Sequence, residues 1–234
     1  MRALLAGMLL AAGYSVATRA ASGEVGGAGH GRPFLTTEHG VTGVVPWVIP
    51  ALSLESAKPG DRLTLHYDAN LDPSTITPWT ITPFQVDGFS SSEYETGVAS
   101  GSTALLCAHG SSECSEESSK CDGAICLTKL GNMTGATSEG IRFRVQHTPA
   151  GCDDFAGATI GGSGRGYFPS RACDTESAIA SRIAIVAVGE RICAPSCFHV
   201  RLTGFARIWI EGYAAGACSG NECDVDVRLM EYPD

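Results

Sequence analysis

The sequence predicts an α+β protein rich in β-structure: an antiparallel sheet with few short helices, a C-terminal β-hairpin and loops stapled by disulfides. Segments in which apolar and polar residues alternate recur along the chain, as they do in half-buried strands. The 29 glycines and 11 prolines supply many turns. No segment carries a sustained apolar stripe at helical spacing, so we exclude a helical bundle.

The C-terminal region contains the clearest strand pattern. In HVRLTGFARIWIEGY, one face is predicted to carry Val200, Leu202, Ala206, Ile208 and Ile210. In CDVDVRLMEY, the corresponding face carries Val225, Val227 and Leu229. The turn-forming segment AAGACSGNE joins the two, so the sequence predicts an antiparallel hairpin.

Three earlier segments are predicted to be extended. RLTLHY (Arg62 to Tyr67) alternates and indicates a half-buried strand. RIAIVAV (Arg182 to Val188) is continuously apolar, which favours a strand buried on both faces. VTGVVPWVIP (Val41 to Pro50) is predicted to lie along a sheet edge or to pack as an extended segment, because its prolines cannot donate to a ladder.

Two short helices are predicted. Asp174 is suited to cap a helix over residues 175–181. A second helix is favoured over Ser138 to Gln146, with Thr137 as its N-cap. A strand is the alternative for this second segment, since its apolar residues also alternate: Ile141, Phe143 and Val145.

The N-terminus predicts export. Residues 1–17 combine a basic start with the apolar run ALLAGMLLAAGYSVA, and the small residues Ser15 and Ala17 suit signal-peptidase cleavage. A truncated membrane anchor is the alternative for this segment. Residues 18–40 are expected to form a flexible linker, and residues 41–234 one domain. The mature chain is then periplasmic, on the cell surface or extracellular, with the N-terminus as a possible point of membrane attachment.

Ten cysteines in a chain with an export segment predict disulfides. They are Cys107, Cys114, Cys121, Cys126, Cys152, Cys173, Cys193, Cys197, Cys218 and Cys223. Short separations favour Cys218–Cys223 and Cys193–Cys197, and Cys152–Cys173 would close a glycine-rich loop. For the remaining four we expect the nested pairs Cys107–Cys126 and Cys114–Cys121, although two other pairings are open.

The residues nominate no catalytic, cofactor-binding or metal site. A zinc site at Cys193, Cys197 and His199 lacks a matching second cysteine pair. DANLD (Asp68 to Asp72) imitates a calcium loop only at its opening, so an Asx turn at the strand end is expected instead. ATIGGSGRGYF (Ala158 to Phe168) fits no phosphate-binding pattern and predicts a plain loop. A net charge of −9 without a basic stripe excludes nucleic-acid binding.

Five segments occur in the order shown by one bacterial family. GVVPWVIP (Gly43 to Pro50) is similar to a proline-bracketed apolar segment, and ITPFQVDGFSSSEYETGVASG (Ile81 to Gly101) to a strand, a turn and a short helix ending in glycine. TKLGNMTGATSEGI (Thr128 to Ile141) resembles the pattern TKPGNM-x-GPT-x-x-G. SRIAIVAV (Ser181 to Val188) and HVRLTGFARIWIEGY (His199 to Tyr213) are similar to two later strands.

Over about residues 43–232, the chain thus resembles the TadG-like proteins of Tad/Flp pilus systems. The family's longer N-terminal transmembrane helix has no match, and Leu130 and Ala136 stand where the family has prolines. The resemblance implies a non-enzymatic cell-envelope protein that contacts other pilus-assembly or envelope proteins, and it carries over no catalytic residue. The alternative from the residues is a secreted hydrolase or a metal-dependent binding module.

Overall fold

The computed structural model describes residues 40–71, 77–88, 90–109, 121–122, 124–162, 166–173, 182–193, 198–213 and 217–231. The predicted signal peptide, nearly all of the linker and the helix after Asp174 lie outside the described residues. So do Cys114 and Cys197.

In chain order the elements are β1 (Val44–Pro50), α1 (Ala51–Leu54), β2 (Arg62–Asp68), β3 (Thr82–Pro83), α2 (Ser91–Ser100), β4 (Cys121–Asp122), β5 (Ile125–Leu127), α3 (Thr134–Gln146), α4 (Phe155–Ala158), β6 (Thr159–Gly161), β7 (Tyr167–Pro169), β8 (Ile183–Ile192), β9 (His199–Gly212), β10 (Cys218–Ser219) and β11 (Glu222–Glu231). The predicted β-rich class is confirmed, and so is the C-terminal hairpin, in which β9 pairs antiparallel with β11.

One nine-stranded, mostly antiparallel sheet dominates the fold. Its strand order is β10-β11-β9-β8-β1-β3, and β1 and β8 are the parallel neighbours. β2 pairs along the other side of β11. β2 also reaches the segment before β3, because Ile81 N donates to His66 O at 2.7 Å and His66 pairs with Thr80. Thr82 in turn pairs with Val48 of β1, so the hydrogen-bonded sheet closes on itself as a barrel.

Alternation along each strand sends one set of apolar side chains into the enclosed core. This set comprises Val45, Trp47, Ile49, Leu65, Tyr67, Ile81, Ala184, Val186, Val188, Ala206, Ile208, Ile210, Val225, Val227 and Leu229. Burying each larger aliphatic side chain contributes roughly 1.5–3 kcal/mol, so this core is the main source of stability. Tyr94 and Val98 of α2 and Ile141 of α3 pack against the same cluster.

The single apolar face predicted for β9 is wrong. Opposite β8, the register passes from Val188↔Gly204 to Gly189↔Leu202, which leaves one extra residue in β9. This bulge exchanges the two faces, so Val200 and Leu202 join a second cluster while Ala206, Ile208 and Ile210 face the main core. A Cβ on Gly189 would lie 2.2 Å from Arg201 O, so the bulge requires glycine there.

β1 does not lie at the edge of the sheet, which was one of the two positions predicted for it. β1 lies between β8 and β3, and its register with β8 shifts between Val45 and Val48. Pro46 falls within this shift, where it is not required to donate, and its carbonyl accepts from Phe84 N at 3.1 Å. The proline is therefore accommodated by an irregularity inside the sheet.

The helix favoured over Ser138 to Gln146 is correct and ends at Gln146, but α3 begins at Thr134 and not at Ser138. Thr137 is not the N-cap; it is buried within the helix, 3.1 Å from the Tyr94 hydroxyl. The first turn is held by Asn132 Oδ1, which accepts from Thr134 N, and by the Tyr67 hydroxyl, which accepts from Met133 N at 2.9 Å. The turn at Asn132 and Met133 therefore attaches the start of α3 to β2.

Helices α2 and α3 pack closely on the sheet. A capping box at Ser90 and Glu93 starts α2, and Gly101 follows it with φ 80°. Arg144 of α3 is buried and donates to Val98 O at the end of α2 and to Ile183 O at 3.3 Å. Burial lowers the pKa of Arg144 to about 10, so the side chain stays charged at neutral pH. It supplies donors to carbonyls near a helix C-terminus, where cations are favoured.

The disulfides confirm two of the predicted pairs and overturn two others. Cys152–Cys173 and Cys218–Cys223 form as predicted. Cys126 bonds Cys121, directly opposite on β4 and β5, so the nested Cys107–Cys126 and Cys114–Cys121 arrangement is wrong. The prediction assumed that a polar excursion had to be closed at its base, but the short β4–β5 pairing already brings Cys121 and Cys126 together.

Candidate interaction surface

The cysteines of the described residues serve the fold. None of them is free. Cys193 is disulfide-bonded, so its sulfur is not available as a thiolate for a zinc site with His199. Cys107 is disulfide-bonded as well. The predicted Cys193–Cys197 pair stays a prediction, because Cys197 lies outside the described residues.

The calcium-like segment forms the predicted Asx turn. Asn70 N donates to Asp68 Oδ1 at 2.8 Å, just after β2 ends. Asp72 lies outside the described residues. Across the described ranges, no three His, Cys, Asp or Glu side chains come together in a way that could hold a metal ion.

The glycine-rich segment is more ordered than the predicted plain loop. β6 and β7 form a short antiparallel hairpin beside the Cys152–Cys173 bridge, and residues 163–165 between them lie outside the described ranges. Gly161 has φ 115°, and a Cβ there would lie 2.5 Å from Gly166 O. These glycines therefore permit a close approach of two backbones.

One His–Asp pair lies on the outer face of the sheet. His66 Nδ1 and Asp224 Oδ1 are 2.6 Å apart across β2 and β11. The neighbouring Thr64 hydroxyl donates to Asp226, so it is oriented away from His66. We interpret the pair as one rung of a polar cross-strand ladder.

The same ladder ends in a carboxylate shared by two arginines. Arg62 Nε donates to Glu211 Oε2 at 2.6 Å, and Arg228 bonds the other oxygen. Partial burial alone would raise the pKa of Glu211, but the hydrogen bonds from Arg228 and Arg62 outweigh it and lower the pKa. This cluster joins β2, β9 and β11.

A groove lined by Asp68 at the end of β2, by Thr82 of β3 and by Arg191 of β8 is the strongest candidate site. It consists of two adjoining hollows of about 160 Å³ and 100 Å³, and both are lined by Thr82 and Arg191. The first is otherwise lined by Val48, Pro50, Ala51, Leu52, Thr80, Gly189 and Glu190. The second is otherwise lined by Tyr67, Asp68, Ala69, Leu71, Pro83, Thr128, Lys129, Leu130, Gly131 and Phe198. We call the two hollows together the Arg191 groove.

Large apolar side chains are exposed along this groove. Leu52 is 68% exposed in the first hollow, and Leu130 and Phe198 are 60% and 48% exposed in the second. Isolated exposed apolar residues are ordinary, but several around one concave surface indicate a binding site. Sequence patterns did not indicate this site, because its lining comes from segments far apart in the chain and no motif includes Leu52 or Arg191.

The charges in the groove are arranged around Arg191. Its Nε donates to Thr82 Oγ1 at 2.9 Å, which fixes the guanidinium beside the junction of the two hollows. Glu190 is paired with Arg201 at 2.9 Å. Lys129 adds a second cation and Asp68 a second carboxylate. Counting Arg201, the groove holds three cations and two carboxylates, in a chain whose formal net charge is −9.

The groove presents both apolar and polar groups. The hydroxyls of its described lining belong to Tyr67, Thr80, Thr82 and Thr128. Among the described residues, no helix is both long enough and apolar enough to cross a membrane.

Comparisons of the chain with protein-family models, with curated proteins and with solved structures find no match.

Proposed function

We propose that the chain is a non-enzymatic, exported cell-envelope protein of the TadG-like type, associated with assembly of Tad/Flp pili. It acts through protein–protein contact at the Arg191 groove. The observation that carries the proposal is the ordered set of five motif resemblances, because each falls on an element that builds the closed sheet or packs against it. They coincide with β1, α2, the start of α3, β8 and β9.

Two structural features support this role. Described cysteines are disulfide-bonded, and stable disulfides form in oxidising compartments such as the periplasm or cell surface. The Arg191 groove combines exposed leucines with a fixed cation, which is the composition of a protein contact surface. A preformed surface favours binding, because few side chains and loops have to lose conformational freedom when a partner associates.

A gene deletion in the source bacterium tests the proposal. We expect the deletion to lower the amount of Flp-type pilin that is sheared from the cell surface while the cellular pilin level is unchanged. Complementation with the wild-type gene should restore it. Unchanged surface pili in the deletion strain would refute the role, as would a gene neighbourhood without any Tad ATPase, secretin or prepilin-peptidase gene.

A further inference from the structure

We propose that the Cys218–Cys223 disulfide is a redox-sensitive switch that controls the order of the Arg191 groove. A dithiol reductant opens this bridge before Cys121–Cys126 and Cys152–Cys173, and the opened bridge loosens one end of the second hollow. The bridge and its hydrogen bonds belong to the fold. The regulatory role that we give them rests on the proposed function of the groove as a protein contact surface.

The Cys218 end of the bridge is open to a reductant. Cys218 is half-buried and lies in β10, at one end of the strand order. By contrast, all four cysteines of Cys121–Cys126 and Cys152–Cys173 are at most 4% exposed. A thiolate must reach a disulfide sulfur before exchange can begin, so burial protects these two bridges.

The reaction is a thiol–disulfide exchange. The attacking thiolate forms a mixed disulfide with Cys218 and expels the sulfur of Cys223, which takes up a proton. The second thiol of the reductant then displaces Cys218 and closes the reductant's own disulfide. The dithiol is thereby oxidised, and its two electrons and two protons end on the two cysteines.

The bridge is a main attachment of β10 to the rest of the described fold. β10 is two residues long and pairs with β11 across a turn at Gly220 and Asn221, where Gly220 has φ 62°. Beyond this pairing, Asp224 N donates to Ala217 O at 3.0 Å. So short a pair of strands is marginal by itself. We therefore expect the turn to loosen when the bridge opens.

The turn holds both sides of the second hollow. Asn221 O accepts from Ala69 N at 2.8 Å, and Ala69 belongs to the lining. Asn132 Nδ2 donates to Gly220 O at 2.8 Å and to Asn221 Oδ1 at 2.7 Å. Asn132 directly follows Gly131, another lining residue. One turn thus ties the end of β2 to the segment that precedes α3.

Asn132 carries the effect on to α3. Its Oδ1 accepts from Thr134 N at 2.9 Å, in the first turn of the helix, while its Nδ2 is held by the β10–β11 turn. If that turn loosens, the amide group of Asn132 is no longer fixed and the cap weakens. Opening the bridge should therefore loosen the lining and the start of α3, while β11 keeps its pairing with β2 and β9.

Graded reduction of the wild-type protein tests the chemistry. The purified, disulfide-bonded chain is incubated with increasing dithiothreitol, alkylated with iodoacetamide and mapped by mass spectrometry. We expect Cys218 and Cys223 to be alkylated at least about tenfold faster than the cysteines of Cys121–Cys126 and Cys152–Cys173, because those bridges must first become exposed by local opening. Equal rates for the three bridges, or earlier reduction of a buried one, would overturn the proposal.

Hydrogen–deuterium exchange tests the coupling to the groove. In Cys218→Ser/Cys223→Ser, peptides covering residues 66–71 and 128–136 should exchange about fivefold faster, because each contains an amide whose hydrogen bond depends on the turn. Cys152→Ser/Cys173→Ser is the matched control, since that bridge lies beside β6 and β7, which do not line the groove. The same exchange in both variants would refute the coupling.

A variant of Asn132 separates the switch from a general loss of order. Asn132→Asp keeps the acceptor for Thr134 N but removes the donor to Gly220 O and Asn221 Oδ1. With the bridge intact, this variant should already show the faster exchange over residues 128–136. Reducing its Cys218–Cys223 bridge should then add little there but still affect residues 66–71. Full additivity over residues 128–136 would exclude Asn132 as the connection.

Piliation separates this inference from the proposed function. In the deletion strain, Cys218→Ser/Cys223→Ser should restore less surface pilin than Cys152→Ser/Cys173→Ser, although the second pair opens the longer loop and costs more stability. Normal surface pilin with the first pair would refute the regulatory role even where deletion removes pili. If deletion leaves pili unchanged while alkylation and exchange behave as expected, the proposed function fails and the redox-sensitive bridge stands.

Discussion

Two glycines of α3 should respond in opposite directions to the same substitution. Gly135 is exposed, and a Cβ there would have no neighbour within 4 Å. A Cβ on Gly140 would lie 2.6 Å from Val98 Cβ and 3.0 Å from the Glu95 carbonyl oxygen of α2. Alanine in place of glycine stabilises a helix by about 0.5–1 kcal/mol. At Gly140 the overlap costs about 1–3 kcal/mol, because backbone oxygen and a branched side chain cannot rotate away.

We therefore expect Gly135→Ala to raise the free energy of unfolding by up to about 1 kcal/mol and Gly140→Ala to lower it by roughly 0.5–2 kcal/mol. Urea unfolding with the disulfides intact measures both values, provided that the denaturant slope is unchanged. The two variants are controls for each other, since they share a helix and a substitution. A change of the same sign in both would refute the close packing of α2 on α3.

Three further predictions concern single interactions. Tyr67→Phe leaves the buried Met133 N–H without its acceptor, so we expect a loss of about 1–3 kcal/mol in urea unfolding. Replacing both Cys152 and Cys173 by serine opens a loop with a sequence separation of 21 and should cost about 3 kcal/mol in the chain-entropy model. Glu211→Gln should flatten the acid side of the stability–pH profile. The pKa of Glu211 is lowered in the folded state, so the ionised carboxylate stabilises the fold fully when the pH is above the ordinary carboxyl pKa of 4.5. This contribution is lost as the pH falls through the lowered pKa.

The first two of these predictions have matched comparisons. Tyr213→Phe removes one half-buried hydroxyl contact, from Ser138, and should cost less than Tyr67→Phe. Opening the Cys218–Cys223 bridge, with a sequence separation of 5, should cost about 2 kcal/mol, less than the longer loop. Equal losses for the two bridges would contradict the entropic reasoning. An unchanged acid profile in Glu211→Gln would show that its two arginine contacts do not stabilise the fold.

The strands could be predicted because their periodicity is local. β2 alternates throughout and β11 as far as Leu229, and up to that point the buried residues are those that the pattern indicates; Met230 and Glu231, which follow, are both buried. β9 alternates equally clearly, but a bulge opposite Gly189 exchanges its faces. That bulge depends on a close approach of Gly189 to β9, which a single strand's sequence does not record.

The start of α3 shows a second limit. Sequence rules place an N-cap side chain next to the helix it caps, and they favoured Thr137. The structure uses Asn132 from the preceding turn and Tyr67 from another strand. A cap that comes from β2 cannot be found in the helix sequence. The bond from Met133 N to the Tyr67 hydroxyl nevertheless explains why the turn before α3 lies against β2.

The Arg191 groove follows from sheet closure, which sequence patterns also miss. The segment that joins β2 to β1 in the sheet runs only from Trp79 to Pro83. It is too short to show alternation of apolar and polar residues. Yet this stretch brings Thr80 and Thr82 alongside β1 and β8, and Thr82 then anchors Arg191. Closure of the sheet therefore encloses the core and also places Thr80 and Thr82 in the lining of the Arg191 groove.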